Sequence, residues 1–211
     1  MTNRLSVADG WDWQRRVRAR SERLTLATAT TATRTSITVI LCAISGVYGR
    51  TRPGFWILLV AILIFWIGDG LDGAIARWGD HETIFGAFAD VVGDRLSVIA
   101  ICLTAMAAGQ NGLLLAVFAL HYVSLDLAST TLFVRFRLVS PNYFYLVHTR
   151  LFQINWTRPA KVASQIPLVA ALVGLSSTIV TWMMIAVSIW KLAGILWACA
   201  IRNLDDGIIV A

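Results

Sequence analysis

Charged residues are scarce in this chain. Only 14% of its 211 residues are Asp, Glu, Lys or Arg, whereas 57% are hydrophobic, and the mean hydropathy is +0.70. Soluble domains are roughly 25% charged and 45–50% apolar. The composition therefore excludes an ordinary soluble domain and predicts an integral membrane protein.

Cysteines are also few, and recognisable targeting or nucleic-acid motifs are missing. Cys42, Cys102 and Cys199 lie far apart within apolar runs, so their spacing predicts neither a disulfide framework nor a metal site. No small-residue cleavage site follows a short apolar core, and we therefore expect no cleaved signal peptide. The sequence contains no RNA- or DNA-binding motif. Its net charge of +6 comes from residues that flank apolar runs, which indicates a bilayer with anionic headgroups as the partner rather than nucleic acid.

Six segments are apolar and approach the ~20 residues that a spanning helix needs. We therefore expect an all-α integral membrane protein with six transmembrane helices, at residues 34–49, 55–76, 84–108, 113–134, 160–175 and 178–201.

The segment before the first predicted span is basic and aromatic. It contains five arginines between positions 15 and 23, together with Trp11 and Trp13. This mixture is typical of an amphipathic helix in the membrane interface, and a disordered basic tail is the alternative. The sequence thus predicts three parts: an N-terminal segment at 1–33, a membrane domain at 34–201 and a C-terminal tail at 202–211.

Lys and Arg set the expected orientation, because they are enriched in cytoplasmic loops. Arg50 and Arg52 fall on one side of the predicted membrane. The positive residues on the other side are the N-terminal cluster, Arg77, Arg135, Arg137, Arg150, Arg158 and Lys161. We therefore expect a multi-pass protein of the plasma (inner) membrane, with both termini and the acidic segment described next on the cytoplasmic side.

Four aspartates are set within or beside two apolar segments: Asp69, Asp72, Asp90 and Asp94. Residues three or four apart share a helix face, so two packed helices would bring these carboxylates together. Ionisable residues at membrane depth indicate function, and oxygen-only ligands favour Mg²⁺, Mn²⁺ or Ca²⁺ over zinc or copper. Because Mg²⁺ is often shared with substrate phosphates, a diphosphate is the expected substrate group. Residues 73, 76 and 86 are Gly, Ala and Gly, which would let a nucleotide approach the helix backbones.

Two other interpretations of the acidic residues remain open. The aspartates would pair with arginines in a structural network, or they would form a proton relay or cation site in a transporter. A transporter, however, does not require Gly73, Ala76, Arg77 and Gly86 at set spacing.

The acidic segment resembles a known family. It reads D-x2-D-G-x2-A-R-x8-G-x3-D-x3-D from Asp69 to Asp94, which is the signature of the CDP-alcohol phosphotransferases. The resemblance implies transfer of a phosphoalcohol group from a CDP-alcohol to a second alcohol, with release of CMP. CDP-diacylglycerol is the donor of most bacterial members, and homodimers are common. A degenerate member that serves as a scaffold is a further alternative, against which the intact acids argue.

The resemblance also implies roles for individual residues. Asp94 would be a metal ligand and the general base for the acceptor hydroxyl. The other ligands of a pair of Mg²⁺ or Mn²⁺ ions would be Asp69, Asp72 and Asp90, and the residues beside the nucleotide would be Asp69, Gly73, Ala76, Arg77 and Gly86. Thr31-Ala-Thr-Arg34 is similar to the T-x-x-R that precedes the first span in many members, although the asparagine often found upstream is absent.

The acceptor is indicated by weaker similarities. Asp94-Arg95 and Leu125-Asp126-Leu-Ala-Ser129 resemble phosphatidylinositol synthases, although Thr130 and Thr131 replace the histidine and tryptophan of that group. These similarities favour inositol or inositol phosphate, and glycerol 3-phosphate is the alternative because residues 135–161 are cationic. The candidate acceptor residues are Asp126, Arg135, Arg150, Arg158 and Lys161.

Two ionisable residues in apolar segments have open roles. Asp126 would contact the acceptor or brace an arginine such as Arg95. Lys191 would snorkel, pair with a buried acid or face an internal cavity. His121 is expected to be a hydrogen-bonded interior residue rather than a metal ligand.

Overall fold

The computed structural model describes residues 25–78, 83–136, 138 and 140–201, without the side chains of residue 72 and residues 76–78. Most of the predicted interfacial segment and the predicted C-terminal tail therefore lie outside the described residues.

The described part of the chain is all-α, as the sequence predicts. Its long helices are α1 (Leu26–Tyr48), α2 (Arg52–Trp78), α3 (Ile84–Ala107), α4 (Gly112–Arg135), α6 (Arg158–Leu172) and α7 (Ser177–Ala200), and the short α5 is Thr149–Asn155. A π-helical turn at Tyr122–Asp126 interrupts α4, and a 3₁₀ helix covers Pro141–Leu146.

Four described helices are long and apolar enough to cross a membrane: Leu26–Tyr48, Arg52–Ile75, Gly112–Arg135 and Ser177–Ala200. They correspond to the predicted first, second, fourth and sixth spans. Helices α3 and α6 form at the positions of the other two but are not among these four. Helix α3 carries Asp90, Asp94 and Arg95, and α6 has only 15 residues.

Helix α1 begins at Leu26 rather than near Arg34. The hydroxyl of Thr25 accepts a hydrogen bond from the backbone N–H of Thr28 at 3.2 Å, so Thr25 acts as the N-cap. The threonine-rich stretch therefore forms the first turns of the helix. As a consequence, Arg34 lies well inside α1 instead of at its end.

Helix α1 packs along both α2 and α3. Glycines allow this close approach. A Cβ atom on Gly93 of α3 would lie 2.5 Å from the Thr35 hydroxyl, and one on Gly68 of α2 would overlap the aliphatic part of Arg34. The three helices therefore meet closely at the level of the signature aspartates.

Two apolar clusters hold the bundle together. The first joins α1 to α4 with α6 and α7, and its largest fully buried members include Phe65, Ile101, Leu115 and Phe118. The second comprises Phe133, Phe136, Leu138, Phe144, Leu151, Trp156 and Ala198. Much of it lies in the segment between α4 and α6, which the sequence presents as a long loop. Burial of its aromatic residues folds this segment against α7.

Candidate functional site

Three signature aspartates converge where α2 and α3 face each other. Asp69 comes from α2, and Asp90 and Asp94 lie one turn apart on α3. One oxygen from each carboxylate lies within 4.8 Å of the other two. Such a cluster of hard oxygen donors fits a divalent cation of the Mg²⁺ or Mn²⁺ type. The predicted convergence of these three residues is confirmed, whereas the side chain of Asp72 lies outside the described residues.

Arg34 of α1 reaches the same cluster from the protein interior. Its Nη2 atom lies 3.1 Å from Asp90 Oδ1 and 2.9 Å from Asp94 Oδ1. Its Nη1 atom donates a hydrogen bond to the Phe65 carbonyl at 3.3 Å. Arg34 is only 5% exposed, and it does not line the cavity in front of the aspartates. It therefore supplies a fixed positive charge at the back of the acidic cluster.

The acidic cluster opens into a cavity of about 740 Å³, which is large enough for a nucleotide-sized ligand. Near the aspartates the wall includes Thr28, Gly73, Thr83 and Gly86. The signature glycines are thus at the cavity surface, as the sequence predicts. The side chains of Ala76 and Arg77, also predicted to lie beside the nucleotide, are outside the described residues.

A second charged cluster lines the same cavity. Asp126 on α4 binds two cations: its Oδ2 atom lies 2.6 Å from Arg95 Nη2, and its Oδ1 atom lies 2.8 Å from Lys191 Nζ. All three side chains are at most 9% exposed. Of the two roles open to Asp126, the structure shows contact with Arg95, and contact with the acceptor stays a prediction. Of the three roles open to Lys191, the structure supports pairing with a buried acid and facing the cavity.

The π-helical turn Tyr122–Asp126 helps to place this cluster. Asp126 is the last residue of this turn and Tyr122 is the first. The centroid of the Tyr122 ring lies 4.4 Å from the guanidinium carbon of Arg95. The hydroxyl of Thr130, one turn after Asp126, accepts a hydrogen bond from Arg95 at 2.9 Å. Because π-turns often occur at functional sites, this irregularity marks α4 as part of the site. The adjacent His121 bonds Ser188 through Nδ1 at 3.0 Å, as expected of an interior histidine.

The candidate acceptor residues separate into two groups. Arg158 and Lys161, at the start of α6, line the cavity. Arg135 donates to the Cys199 carbonyl at 3.3 Å, and Arg150 is exposed; neither of these two lines the cavity. The structure therefore brings two of the four predicted cations to the site.

Sequence reasoning missed two residues of the site. Arg34 matched a T-x-x-R pattern, but that pattern does not predict contact with Asp90 and Asp94. Asn155 is 2% exposed and lines the cavity, and its Oδ1 atom has no hydrogen-bond partner among the described residues. In the sequence this asparagine begins Asn155-Trp-Thr157, a glycosylation acceptor pattern that does not predict contact with a cavity.

Comparisons with known proteins agree with the geometry. Residues 24–197 match the family described as CDP-alcohol phosphatidyltransferase. No curated protein and no solved structure matches the chain. The matched range covers the acidic cluster, the second charged cluster and α6. The chain therefore belongs to the CDP-alcohol phosphatidyltransferase family, whose members are membrane phosphotransferases of phospholipid biosynthesis that move a phosphatidyl group from a CDP-alcohol to another alcohol.

Proposed function

We propose that this enzyme transfers the phosphatidyl group of CDP-diacylglycerol to inositol phosphate, or to the closely related inositol, and releases CMP. The observation that carries the proposal is a single cavity with the acidic cluster on one wall and Arg158 and Lys161 on another. The acidic wall suits a metal-bound diphosphate, and the cationic residues suit a second phosphate.

The donor is proposed to be a lipid because the cavity continues along an apolar wall. Helix α6 contributes Ile166, Val169 and Val173 to this wall. Trp66 of α2, which also lines the cavity, donates a hydrogen bond to Gln165 of α6 at 2.8 Å. Acyl chains placed along this wall would put the diphosphate at the aspartates.

In the proposed reaction, Asp94 accepts the proton of the acceptor hydroxyl as that oxygen attacks the β-phosphorus, which bears the lipid. The bond from the β-phosphorus to the oxygen bridging to CMP breaks, and CMP leaves. Asp69, Asp72, Asp90 and Asp94 would hold two Mg²⁺ or Mn²⁺ ions. Bound there, such ions neutralise the diphosphate and the charge that develops on CMP. Gly73 and Gly86 would leave room for the nucleotide, with Ala76 and Arg77 beside it.

Inositol phosphate is favoured as acceptor by Asp94-Arg95 and by the segment around Asp126, which resemble inositol-using members. Glycerol 3-phosphate is the second candidate, because Arg158 and Lys161 would suit its phosphate equally well. Asp126 is proposed to act indirectly: by binding Arg95 and Lys191, it holds two cations at the cavity wall.

The proposal includes six spans, with α3 and α6 added to the four helices that meet the length and hydropathy requirement. The charges of α3 face the acidic and second charged clusters, which supports its place within the bundle. The distribution of Lys and Arg supports a cytoplasmic site in the plasma (inner) membrane. As is common in the family, the enzyme is proposed to be a homodimer.

The first test is CMP release by the purified chain in detergent with Mg²⁺ and CDP-diacylglycerol. Inositol phosphate, inositol, glycerol 3-phosphate and serine are added one at a time. We expect release that requires inositol phosphate or inositol and ceases when EDTA is added. Release only with glycerol 3-phosphate would establish the alternative acceptor, and release with none of the four would contradict the proposed donor–acceptor pair.

A second prediction concerns the phosphate of the acceptor. Replacing Arg158 by Gln is expected to raise the KM for inositol phosphate by about tenfold, because a charge-assisted hydrogen bond contributes about 1.5 kcal/mol or more. The KM for CDP-diacylglycerol should change little. Arg150→Gln is the matched control, since Arg150 is exposed and does not line the cavity. An equal rise for both substrates in Arg158→Gln would argue against a separate acceptor phosphate subsite.

A further inference from the structure

We propose that Arg34 is a built-in counter-ion of the acidic cluster. It holds Asp90 and Asp94 together when no divalent cation is bound, and it weakens the binding of that cation. The inference rests on the proposed divalent-metal site and assigns to α1 a positioning residue for that site.

The geometry fits a counter-ion better than a simple packing contact. One guanidinium nitrogen lies between two carboxylates of neighbouring turns, at 3.1 Å from Asp90 and 2.9 Å from Asp94. Carboxylates this close repel each other, and a nearby positive charge offsets the repulsion. Arg34 supplies that charge from a buried position, where it is screened little by solvent.

Arg34 is itself held in place by the surrounding helices. Its second terminal nitrogen donates to the Phe65 carbonyl at 3.3 Å, and its guanidinium lies 5.6 Å from the Phe65 ring centroid. Gly68 provides the space, because a Cβ atom there would overlap the arginine side chain. The positive charge is therefore fixed by α2 and does not depend on a flexible surface side chain.

The same fixed charge that stabilises the carboxylates weakens the binding of a divalent cation to them. The cation would approach the carboxylates from the cavity, whereas Arg34 approaches from the interior and does not line the cavity. The carboxylates would then lie between two positive charges. At a separation of about 5 Å, even with the dielectric constant of water, a unit charge changes the affinity for a divalent ion by about tenfold.

The test uses the 211-residue chain in detergent, with Mn²⁺ as the probe and without lipid substrates. Free Mn²⁺ is measured by electron paramagnetic resonance, and the melting temperature is measured in EDTA and in saturating Mn²⁺. We expect Arg34→Gln to bind Mn²⁺ about tenfold more tightly than the unmodified protein. Its melting temperature should be lower in EDTA, and Mn²⁺ should close most of the difference.

Two further variants separate charge from geometry. Arg34→Lys keeps the charge, so its Mn²⁺ affinity should stay within about threefold of the unmodified value. Arg50→Gln is the matched control and should change neither measurement, because Arg50 is exposed and bonds the Gly109 carbonyl at 3.3 Å, away from the aspartates.

Unchanged or weaker Mn²⁺ binding by Arg34→Gln would overturn the proposal, as would a lysine variant that behaves like the glutamine variant. If Arg34→Gln does not fold, Gly68→Ala is the second test of the proposal. This variant retains Arg34, but the added methyl group displaces the arginine side chain. Tighter Mn²⁺ binding is expected there also, and no change would overturn the proposal. Since no acceptor is used, this result is independent of the CMP-release assay that tests the proposed function.

Discussion

Replacing Asp94 by Asn is expected to lower acceptor-dependent CMP release by about 10³-fold, within the range for loss of a general base. The asparagine side chain retains an oxygen but cannot accept the proton of the attacking hydroxyl. It also removes one charge from the carboxylate cluster, in which the three oxygens lie within 4.8 Å of one another. Both effects act on the reaction itself, so the loss should appear in kcat.

The measurement is initial CMP release at saturating donor and acceptor, at the same protein concentration for each variant. Asp205→Asn makes the same chemical change outside the signature and should retain full activity. Melting temperature and Mn²⁺ binding show whether Asp94→Asn is folded and still binds metal through the remaining aspartates. A folded variant that keeps more than about a tenth of the activity would show that another group accepts the proton.

Replacing Asp126 by Asn is expected to cause the largest loss of stability in the chain. Asp126 is the common partner of two buried cations, at 2.6 Å from Arg95 and 2.8 Å from Lys191. Breaking a buried ion pair by removing one member typically costs about 3–5 kcal/mol, because a buried charge is left uncompensated. For a chain of this size, that corresponds to a fall in melting temperature of about 10 °C.

A double variant distinguishes charge imbalance from lost packing. Asp126→Asn combined with Lys191→Met removes one buried cation together with the anion, so we expect it to recover about half of the stability lost in the single variant. Lys191→Met alone should be milder than Asp126→Asn, because Arg95 still pairs with Asp126. If the double variant is less stable than Asp126→Asn, the network does not depend on balanced charge. Thermal melts in the same detergent give all three comparisons.

For the acidic cluster, the spacing of the aspartates is enough to predict which of them lie together. Steps of three and four residues predict which aspartates share a helix face, and the structure brings Asp69, Asp90 and Asp94 together. The same pattern identifies the family to which the chain belongs. Local periodicity carries this information because the facing helices α2 and α3 follow each other in the chain, with only residues 79–83 between them.

The sequence does not predict contacts between segments that are far apart in the chain. Arg34 lies 56 residues before Asp90, and nothing in its local pattern predicts which helix it faces. Likewise, Lys191 and Arg95 share Asp126 only because α3, α4 and α7 pack together. Residues 135–161 lie between two predicted spans, so the sequence predicts a loop there, yet aromatic residues of this segment are buried in the second apolar cluster.

The sequence by itself determined that the chain is an all-α membrane protein with a four-aspartate signature. Composition and spacing are properties of the sequence itself, so they can be evaluated without knowing how the helices pack. Only the tertiary structure decided which cations face the aspartates, which of the loop cations line the cavity, and how Asp126 is neutralised. A buried charge is strongly destabilising unless a partner lies close by, and the identity of that partner depends on helix packing that no single segment encodes.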